Sequence, residues 1–372
     1  MWVTIIAVLL AVFAGGLLYL SFRAARFGAV GRLTCGKKGL ARLVCFGFFA
    51  ALTGLLWVLW GMMNAIVCLL HLVLFWMLCD LAAFVIARAR KRPPKRYWAG
   101  AAALVLCVLY LAGGWVADHH VWETDYAFAS PKVSRELRLV QIADSHVGAT
   151  FDAAGFLKHI ETINALRPDA VLVTGDFVDD DTSRVDMLGA CDALGQVRAA
   201  YGVYFVYGNH DKGYFAESSR GWTGAELRAA LEQNGVTVLE DQAVDLGEDL
   251  VVVGRKDRSQ GQRGGGRLSA EELLSSVDTD RYIIILDHQP HDFDAEAAAG
   301  ADLVLCGHTH GGQFIPIRHV GEWIGENALR YGHERRQDTD FVVSSGISNW
   351  AFRFKTGCRS EFVLITLTPQ GG

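Results

Sequence analysis

Two regimes of hydrophobic patterning divide the chain near residue 120. Before it, apolar residues run almost unbroken through four segments, 3–20, 43–63, 65–87 and 98–116. Each is close to the ~20 residues that an α-helix needs to cross a hydrocarbon core. After it, apolar residues come in short runs bounded by Gly, Pro, Asp and Asn, the pattern of buried strands. Strands are predicted over 137–142, 170–174, 202–207, 236–239, 243–246, 250–253, 281–286, 301–306, 341–344 and 361–368. Helical periodicity occupies 153–166, closed by Arg167-Pro168, then 185–199, then 224–234, closed by Gly235. Early alternation of strand and helix, followed by a strand-rich middle, predicts an α/β domain of two packed sheets with helices outside. The expected organisation is a four-span α-helical membrane region over 1–117, a linker over 118–136 and one domain over 137–372.

Charge sharpens this split. Residues 1–120 hold twelve Lys/Arg against Asp80 and Asp118 alone, which leaves 23 basic and 38 acidic residues of the chain's 35 and 40 for the remainder. The first part is therefore apolar and basic, the second acidic. No nucleic-acid binding is expected of the acidic domain, because binding without sequence preference needs clustered positive charge. Six basic residues (Arg23, Arg26, Arg32, Lys37, Lys38, Arg42) separate the first two spans, and six more (Arg88, Arg90, Lys91, Arg92, Lys95, Arg96) separate the last two. The link between spans two and three carries no charge. The positive-inside rule puts both basic loops in the cytoplasm and the domain outside it, in a multi-pass protein of the cell membrane. Segment 3–20 lacks a basic leader and a clear cleavage site, so it reads as a retained span rather than a signal peptide. Asn64 is expected at a turn and His71 at a contact between helices. Trp57, Trp60, Trp98, Trp115 and Trp122 suit the two interfacial belts. Of the eight cysteines, Cys191, Cys306 and Cys358 lie in the domain with no CxxC spacing, so no disulfide framework is expected. Cys306 reads as a small core residue.

The candidate chemistry sits where predicted strands end. In order these ends read Asp144-Ser145-His146, Gly175-Asp176-Phe177-Val178-Asp179, Gly208-Asn209-His210-Asp211, Asp287-His288, and Gly307-His308-Thr309-His310-Gly311-Gly312-Gln313. Catalytic groups of α/β sheets gather on loops beyond the carboxyl ends of strands. In extended backbone, residues i and i+2 point the same way, so His308 and His310 are expected to aim both imidazoles at one place. Carboxylate, amide oxygen and imidazole without thiolate suit Mn, Fe, Zn or Co. So many ligands exceed the coordination of one ion. They suit two divalent ions ~3.5–4 Å apart that share a carboxylate, an arrangement used for phosphate-ester hydrolysis.

Taken in sequence, Asp-x-His, Gly-Asp-x-x-Asp, Gly-Asn-His-Asp, a later His and Gly-His-x-His resemble the signature of calcineurin-like metallophosphoesterases, over about residues 136–368. The ending Gly-His-Thr-His-Gly-Gly-Gln looks like the membrane-associated bacterial phosphodiesterase branch. The resemblance implies a two-sheet metallophosphoesterase sandwich with outer helices. It implies that Asp144, His146 and His310 bind one metal, that Asn209, His288 and His308 bind a second, and that Asp176 bridges them. It further implies that His210 is a non-ligand histidine near the leaving-group oxygen, acting as general acid, with Asp179 or Asp211 as the group that orients it. Asp287 is expected to support the ligands or the fold.

The expected activity is metal-dependent hydrolysis of phosphodiester bonds in a lipid-linked or cell-envelope substrate. The alternatives are a pyrophosphatase acting on nucleotide-diphosphate lipids and a non-catalytic membrane scaffold or sensor. Partners are the lipid bilayer and a phosphate ester; nothing in the sequence identifies a protein partner. Arg255-Lys256-Asp257-Arg258, with Arg263 and Arg267, either holds an anionic substrate or forms a solvated loop. Phe314, Trp323 and Tyr331, in 313–331, either wall the pocket, face the membrane or pack in the core. Trp350, Phe352 and Phe354 form a lipid-facing edge or a half-buried strand.

Overall fold

A computed structural model of the chain describes residues 2–92, 96–215, 217–262 and 266–371. Lys95 and Arg263 lie outside the described residues. The chain forms two compact units, Met1–Gly114 with Ala351–Arg353, and Trp115–Trp350 with Phe354–Gly372.

The first unit is helical: α1 (Trp2–Ala24), α2 (Gly28–Leu33), α3 (Lys38–Trp60), α4 (Met62–Ala89) and α5 (Ala99–His119), the last running on into the second unit. Among the described residues, α3, α4 and α5 are each long and apolar enough to cross a membrane. The expected first span, 3–20, falls within α1, a helix of 23 residues. The break between α3 and α4 is Gly61, whose φ of 86° lies in the left-handed region that glycine reaches without a Cβ penalty. Asn64 follows in the first turn of α4, and its amide donates to the Trp60 carbonyl at 2.8 Å, which ties the two helices at the expected turn. His71 Nδ1 donates to the Val67 carbonyl of its own helix at 2.8 Å and sets its ring 5.7 Å from Tyr110 of α5. The unit packs around Leu20, Phe49, Trp76 and Ala103.

The second unit holds two six-stranded sheets. Its strands are β1 (Val121–Ser130), β2 (Leu137–Ile142), β3 (Ala170–Thr174), β4 (Val203–Val206), β5 (Val236–Val238), β6 (Gln242–Leu246), β7 (Leu250–Gly254), β8 (Tyr282–Leu286), β9 (Leu303–Cys306), β10 (Gly332–Arg336), β11 (Thr339–Val343) and β12 (Ser360–Pro369). One sheet has the order β1-β12-β2-β3-β4-β5, the other β10-β11-β9-β8-β7-β6. Within the first, β2, β3, β4 and β5 run parallel. Within the second, β7, β8, β9 and β11 do so. The sheets face each other across a core that includes Leu139, Leu172 and Val206 from one and Val252, Ile284 and Leu305 from the other. Helices α6 (Ala153–Ala165) and α7 (Arg184–Leu194) cover the outer face of the first sheet through Phe156, Ile160 and Met187. Asp152 and Ser183 cap them by accepting from Gly155 and Asp186 backbone amides, the usual satisfaction of orphan N–H groups at a helix start.

Two strands depart from the expected organisation. The expected linker 118–136 carries β1, paired in parallel along its whole length with β12. Its outer positions alternate: Glu123, Asp125, Ala127 and Ala129 are exposed, while Thr124, Tyr126 and Phe128 are half-buried. That period of two is a strand signal, masked in sequence by the acids on its solvent face. The second is β10, Gly-His-Glu-Arg-Arg, an edge strand whose polar residues lack any apolar alternation. The run 350–354 is irregular rather than a strand, with Ala351 at φ 61°.

Candidate metal centre

All five expected strand ends meet at one edge of the two-sheet core. β2, β3 and β4 lead to Asp144, Asp176 and Asn209 on one side, and β8 and β9 lead to His288 and His308 on the other. Ligand-capable atoms of Asp144, His146 and His310 all lie within 4.8 Å of one another, and those of Asp176, His288 and His308 form a second such group. The Asp176 Oδ2 atom is 3.1 Å from His288 Nε2 and 3.7 Å from His146 Nε2, so one carboxylate touches both groups. Asn209 joins the second, its Oδ1 3.1 Å from His288 Nε2. The structure thus brings together all seven residues expected as ligands.

Burial makes this arrangement costly without a counter-charge. Asp144, His146 and His288 are fully buried, and Asp176 is 1% exposed. His146 Nε2 and His310 Nδ1 are buried with no hydrogen-bond partner, a condition that a protein interior avoids at a cost of about 1–3 kcal/mol per group. A divalent ion facing each group would take up the lone pairs of such ring nitrogens, and the oxygen and imidazole set suits one. Burial pushes Asp176 up, but His288, His210 and His146 outweigh it and hold this carboxyl well below its usual range. Burial and the neighbouring His288 pull His308 down to about 4. Burial and His146 pull His310 down as well. An ionised carboxylate and neutral imidazoles are the forms in which Asp176, His308 and His310 would bind metals. Burial pushes Asp144 up to about 6, whereas at His146 and His288 burial pulls down but neighbouring carboxylates outweigh it and push both up.

The backbone shows why two histidines one residue apart serve different groups. Asp144, His146, Asp176, His308 and His310 have φ values of 52°, 36°, 51°, 72° and 46°. These are left-handed, not extended, so the expectation that i and i+2 point to one place fails. His308 turns to Asp176 and His288, and His310 turns to Asp144 and His146. Such conformations cost about 1–3 kcal/mol each and persist only where the surroundings impose them. Here the loops bind one another: Asp144 N donates to Gly175 O at 3.0 Å, His146 N to Asp176 O at 3.1 Å, and His308 N to Asp144 Oδ1 at 2.9 Å. Gly208 allows the closest approach, since a Cβ there would overlap the Asp176 carboxylate and backbone. Gly208→Ala is therefore expected to displace Asp176 and to cost about 1–3 kcal/mol, as overpacking does. Metal content of the purified variant should fall while its circular dichroism stays that of wild type; full metal content would show that the loop can yield.

Two expected roles change. Asp179 does not orient His210. Its Oδ2 lies 3.0 Å from His146 Nδ1, which leaves Nε2 of that ring for the centre. Nor does Asp211, whose two oxygens are taken by backbone amides. The His210 ring instead packs against His146, Tyr214 and Trp350 at centroid distances of 5.1, 4.9 and 4.9 Å. Its backbone N–H donates to Asp176 Oδ1 at 2.8 Å. Tyr214, which carried no signal in sequence, accepts from Asn209 Nδ2 at 2.6 Å and turns the amide oxygen toward His288.

The basic loop is spent internally. Arg255 is 4% exposed and lies 3.1 Å from Asp287, 3.0 Å from Asp292 and 3.2 Å from Glu296. Arg267 pairs with the same Asp287 and Asp292. Asp287 is thus an acid of the fold, anchoring the position before His288. Lys256 faces Asp241, and Arg258 faces Glu326. Phe314 is buried, Trp323 is exposed, and Tyr331 donates to Glu361. Cys306 is buried at the end of β9, and it and the other seven cysteines are free.

The calcineurin-like phosphoesterase family model matches residues 137–312. An uncharacterised metallophosphoesterase of Aquifex aeolicus is 33% identical over 240 residues, covering 63% of this chain and 87% of that protein. A Danio rerio protein named transmembrane protein with metallophosphoesterase domain is 32% identical over 248 residues, covering 64% of this chain and 54% of its own length. A Caenorhabditis elegans relative named for the same domain is 28% identical over 289 residues, 72% of this chain and 56% of that one. The chain therefore spans little more than half the length of these two animal relatives. With such a match over most of the Aquifex protein, this chain belongs to the calcineurin-like phosphoesterases, a family of phosphate-ester hydrolases that depend on a dinuclear metal centre. Its span-length apolar helices, among the described residues, suit a membrane protein, and the Danio relative is named as one.

Proposed function

We propose that the protein is a membrane-anchored phosphodiesterase that holds two divalent ions, Mn, Fe, Zn or Co. Asp144, His146 and His310 hold one, Asn209, His288 and His308 hold the other, and Asp176 is shared. The observation that carries this reading is the position of Asp176 Oδ2 between His288 Nε2 and His146 Nε2. The ions supply Lewis-acid polarisation of a phosphoryl oxygen and acidification of water. The chain's own residues do the rest. The loops fix the ligands in strained backbone before substrate arrives, so no reorganisation is left for the reaction. Half-buried His210, beside His146 and facing Tyr214 and Trp350, holds a proton for the leaving-group oxygen. Ring packing, rather than a carboxylate, sets its orientation. Every expected ligand position keeps a ligating side chain, which favours an enzyme over a scaffold.

In this reading the membrane region is 1–117 with four spans, and 121–372, with β1 included, is the catalytic domain. The two basic loops put that domain outside the cytoplasm, where a lipid-linked or envelope phosphodiester is the substrate at hand. The test uses the full chain in detergent, stripped of metal and then given each ion singly. Cleavage of bis-p-nitrophenyl phosphate should return with at least one ion and exceed that of p-nitrophenyl phosphate by about tenfold, a difference of ~1.4 kcal/mol in barrier. Faster cleavage of a nucleotide-diphosphate lipid into nucleoside monophosphate and lipid phosphate would replace the diesterase by the pyrophosphatase reading. Two bound ions with no hydrolysis of any of these would sink both.

A further inference from the structure

The helical unit contains a second polar cluster, which the metal chemistry does not use. The end of α1, the last turns of α4 and the segment leading into α5 meet at Asp80. Its carboxylate forms an ion pair with Arg23 at 2.5 Å and accepts from Tyr19 at 2.8 Å and Tyr97 at 3.0 Å. Trp76 donates in turn to the Tyr97 hydroxyl at 2.6 Å. The acid is 11% exposed and fully engaged, so Asp80 neutralises Arg23 and has little capacity left. A second cation stands beside it. The Arg26 guanidinium lies 4.5 Å from the Tyr97 ring centroid, on an exposed side chain with no carboxylate partner among the described residues. The cluster therefore carries one positive charge in excess.

An ion pair that merely ties α1 to α4 explains Arg23 and Asp80. It does not explain Arg26, or the cavity of about 280 Å³ that opens between the two arginines, with Asp80 and Tyr97 beside them, and an apolar wall. That wall is Ala83, Phe84 and Ala87 of α4, with Trp98 at the rim. Ala83 and Ala87 are one helical turn apart, so their small side chains form a shallow furrow along the helix. Phe84 is exposed beside them, as are Leu81 and Val85. Cationic at one end and apolar at the other, the cavity has the polarity of a lipid, not of a soluble anion. Arg88, Arg90, Lys91, Arg92 and Arg96 flank it in sequence and raise the local concentration of anionic lipid. Basic pockets between membrane helices are binding places for such headgroups.

We propose that this cavity binds an anionic glycerophospholipid from the leaflet facing the basic loops, with its phosphate between Arg23 and Arg26 and one acyl chain along Ala83, Phe84 and Ala87. The proposal rests on the helices being membrane-embedded and is independent of the metal reading. It is tested by native mass spectrometry of the full chain, with phosphatidylglycerol and phosphatidylcholine of identical chains at equal mole fraction. Wild type should retain phosphatidylglycerol over phosphatidylcholine by about fivefold, in the range one or two exposed charges contribute. Arg26→Gln removes the unpaired charge at an exposed position and should bring the ratio close to one. Ala83→Trp fills the cavity with both arginines kept and should lower phosphatidylglycerol retention as well. Equal retention by wild type, or a preference that survives both variants, would overturn the site. So would displacement of the lipid by millimolar glycerol phosphate, which would make the ligand a soluble phosphate.

Discussion

Asp176→Ala should empty the whole metal centre, whereas His310→Ala should empty half of it. The asymmetry follows from which atoms each side chain touches. His310 belongs to the group with Asp144 and His146 alone. Asp176 reaches His288 at 3.1 Å and His146 at 3.7 Å with one oxygen, and with the other accepts the His210 backbone N–H at 2.8 Å. Its loss removes the shared anion that faces His288, His210 and His146 and frees the loop that carries His210. Each ion would then have one ligand fewer, and no carboxylate would link the two groups. Metal content by mass spectrometry should drop from about two ions per chain to less than one, and turnover by about 10³-fold or more, the scale on which removing a central catalytic interaction acts. His310→Ala should keep about one ion on the Asp176 side, with activity lost because phosphoryl transfer of this kind needs both. If Asp176→Ala kept both ions at wild-type affinity, the carboxylate would not be shared, and the two groups would be separate sites.

The positions of the candidate ligands were legible because each breaks an apolar run. Asp144, Asp176, Asn209, His288 and His308 each follow a strand whose residues are almost wholly buried. A polar residue at such a point faces the space beyond the sheet edge. What the sequence did not reveal was orientation. Asp-x-His and His-x-His look like extended pairs, but the five left-handed residues of the site turn neighbours apart. That conformation is imposed by bonds between loops distant in sequence. The roles of the two nearby acids were hidden for the same reason. Asp179 is three residues from Asp176 yet supports His146, 33 positions away. Arg255 and Arg267 looked available for an anion because their acid partners, Asp287, Asp292 and Glu296, come from a different segment. In β1 the alternation was present but was outweighed by charge. The hydrophobic pattern thus carried the architecture, and long-range hydrogen bonds decided which way each side chain turned.

Asp211 shows the consequence most directly, and its replacement is expected to have the largest effect on stability. It is fully buried. Oδ1 accepts from the amides of Phe177 at 2.8 Å and Val178 at 3.0 Å, and Oδ2 accepts from Asp176 at 2.9 Å and Gly208 at 2.7 Å. One side chain therefore joins the loop after β3 to the loop after β4, the two that carry Asp176 and Asn209. Burial, with Asp176 nearby, pushes its carboxyl up to about 7 against the pull of the Gly208 and Val178 amides. Alanine would leave four buried N–H groups without an acceptor. At about 1–3 kcal/mol each, and with partial relaxation, the loss should total about 3–5 kcal/mol. For a domain of this size that lowers the midpoint of thermal unfolding by on the order of 10 °C. Asp211→Asn keeps the shape and one acceptor oxygen but turns an NH2 toward two of the donors, so it should lose about half as much. Both variants should lose metal affinity although neither removes a ligand, because the left-handed turn at Asp176 is held from behind by this carboxylate. The measurement is thermal unfolding of metal-stripped and metal-loaded full-length protein. A wild-type midpoint for metal-stripped Asp211→Ala would mean that the loops hold themselves. A drop in the stripped protein that added metal largely restores would mean that the ions and Asp211 stabilise the same two loops, with bound metal repaying the strain by mass action.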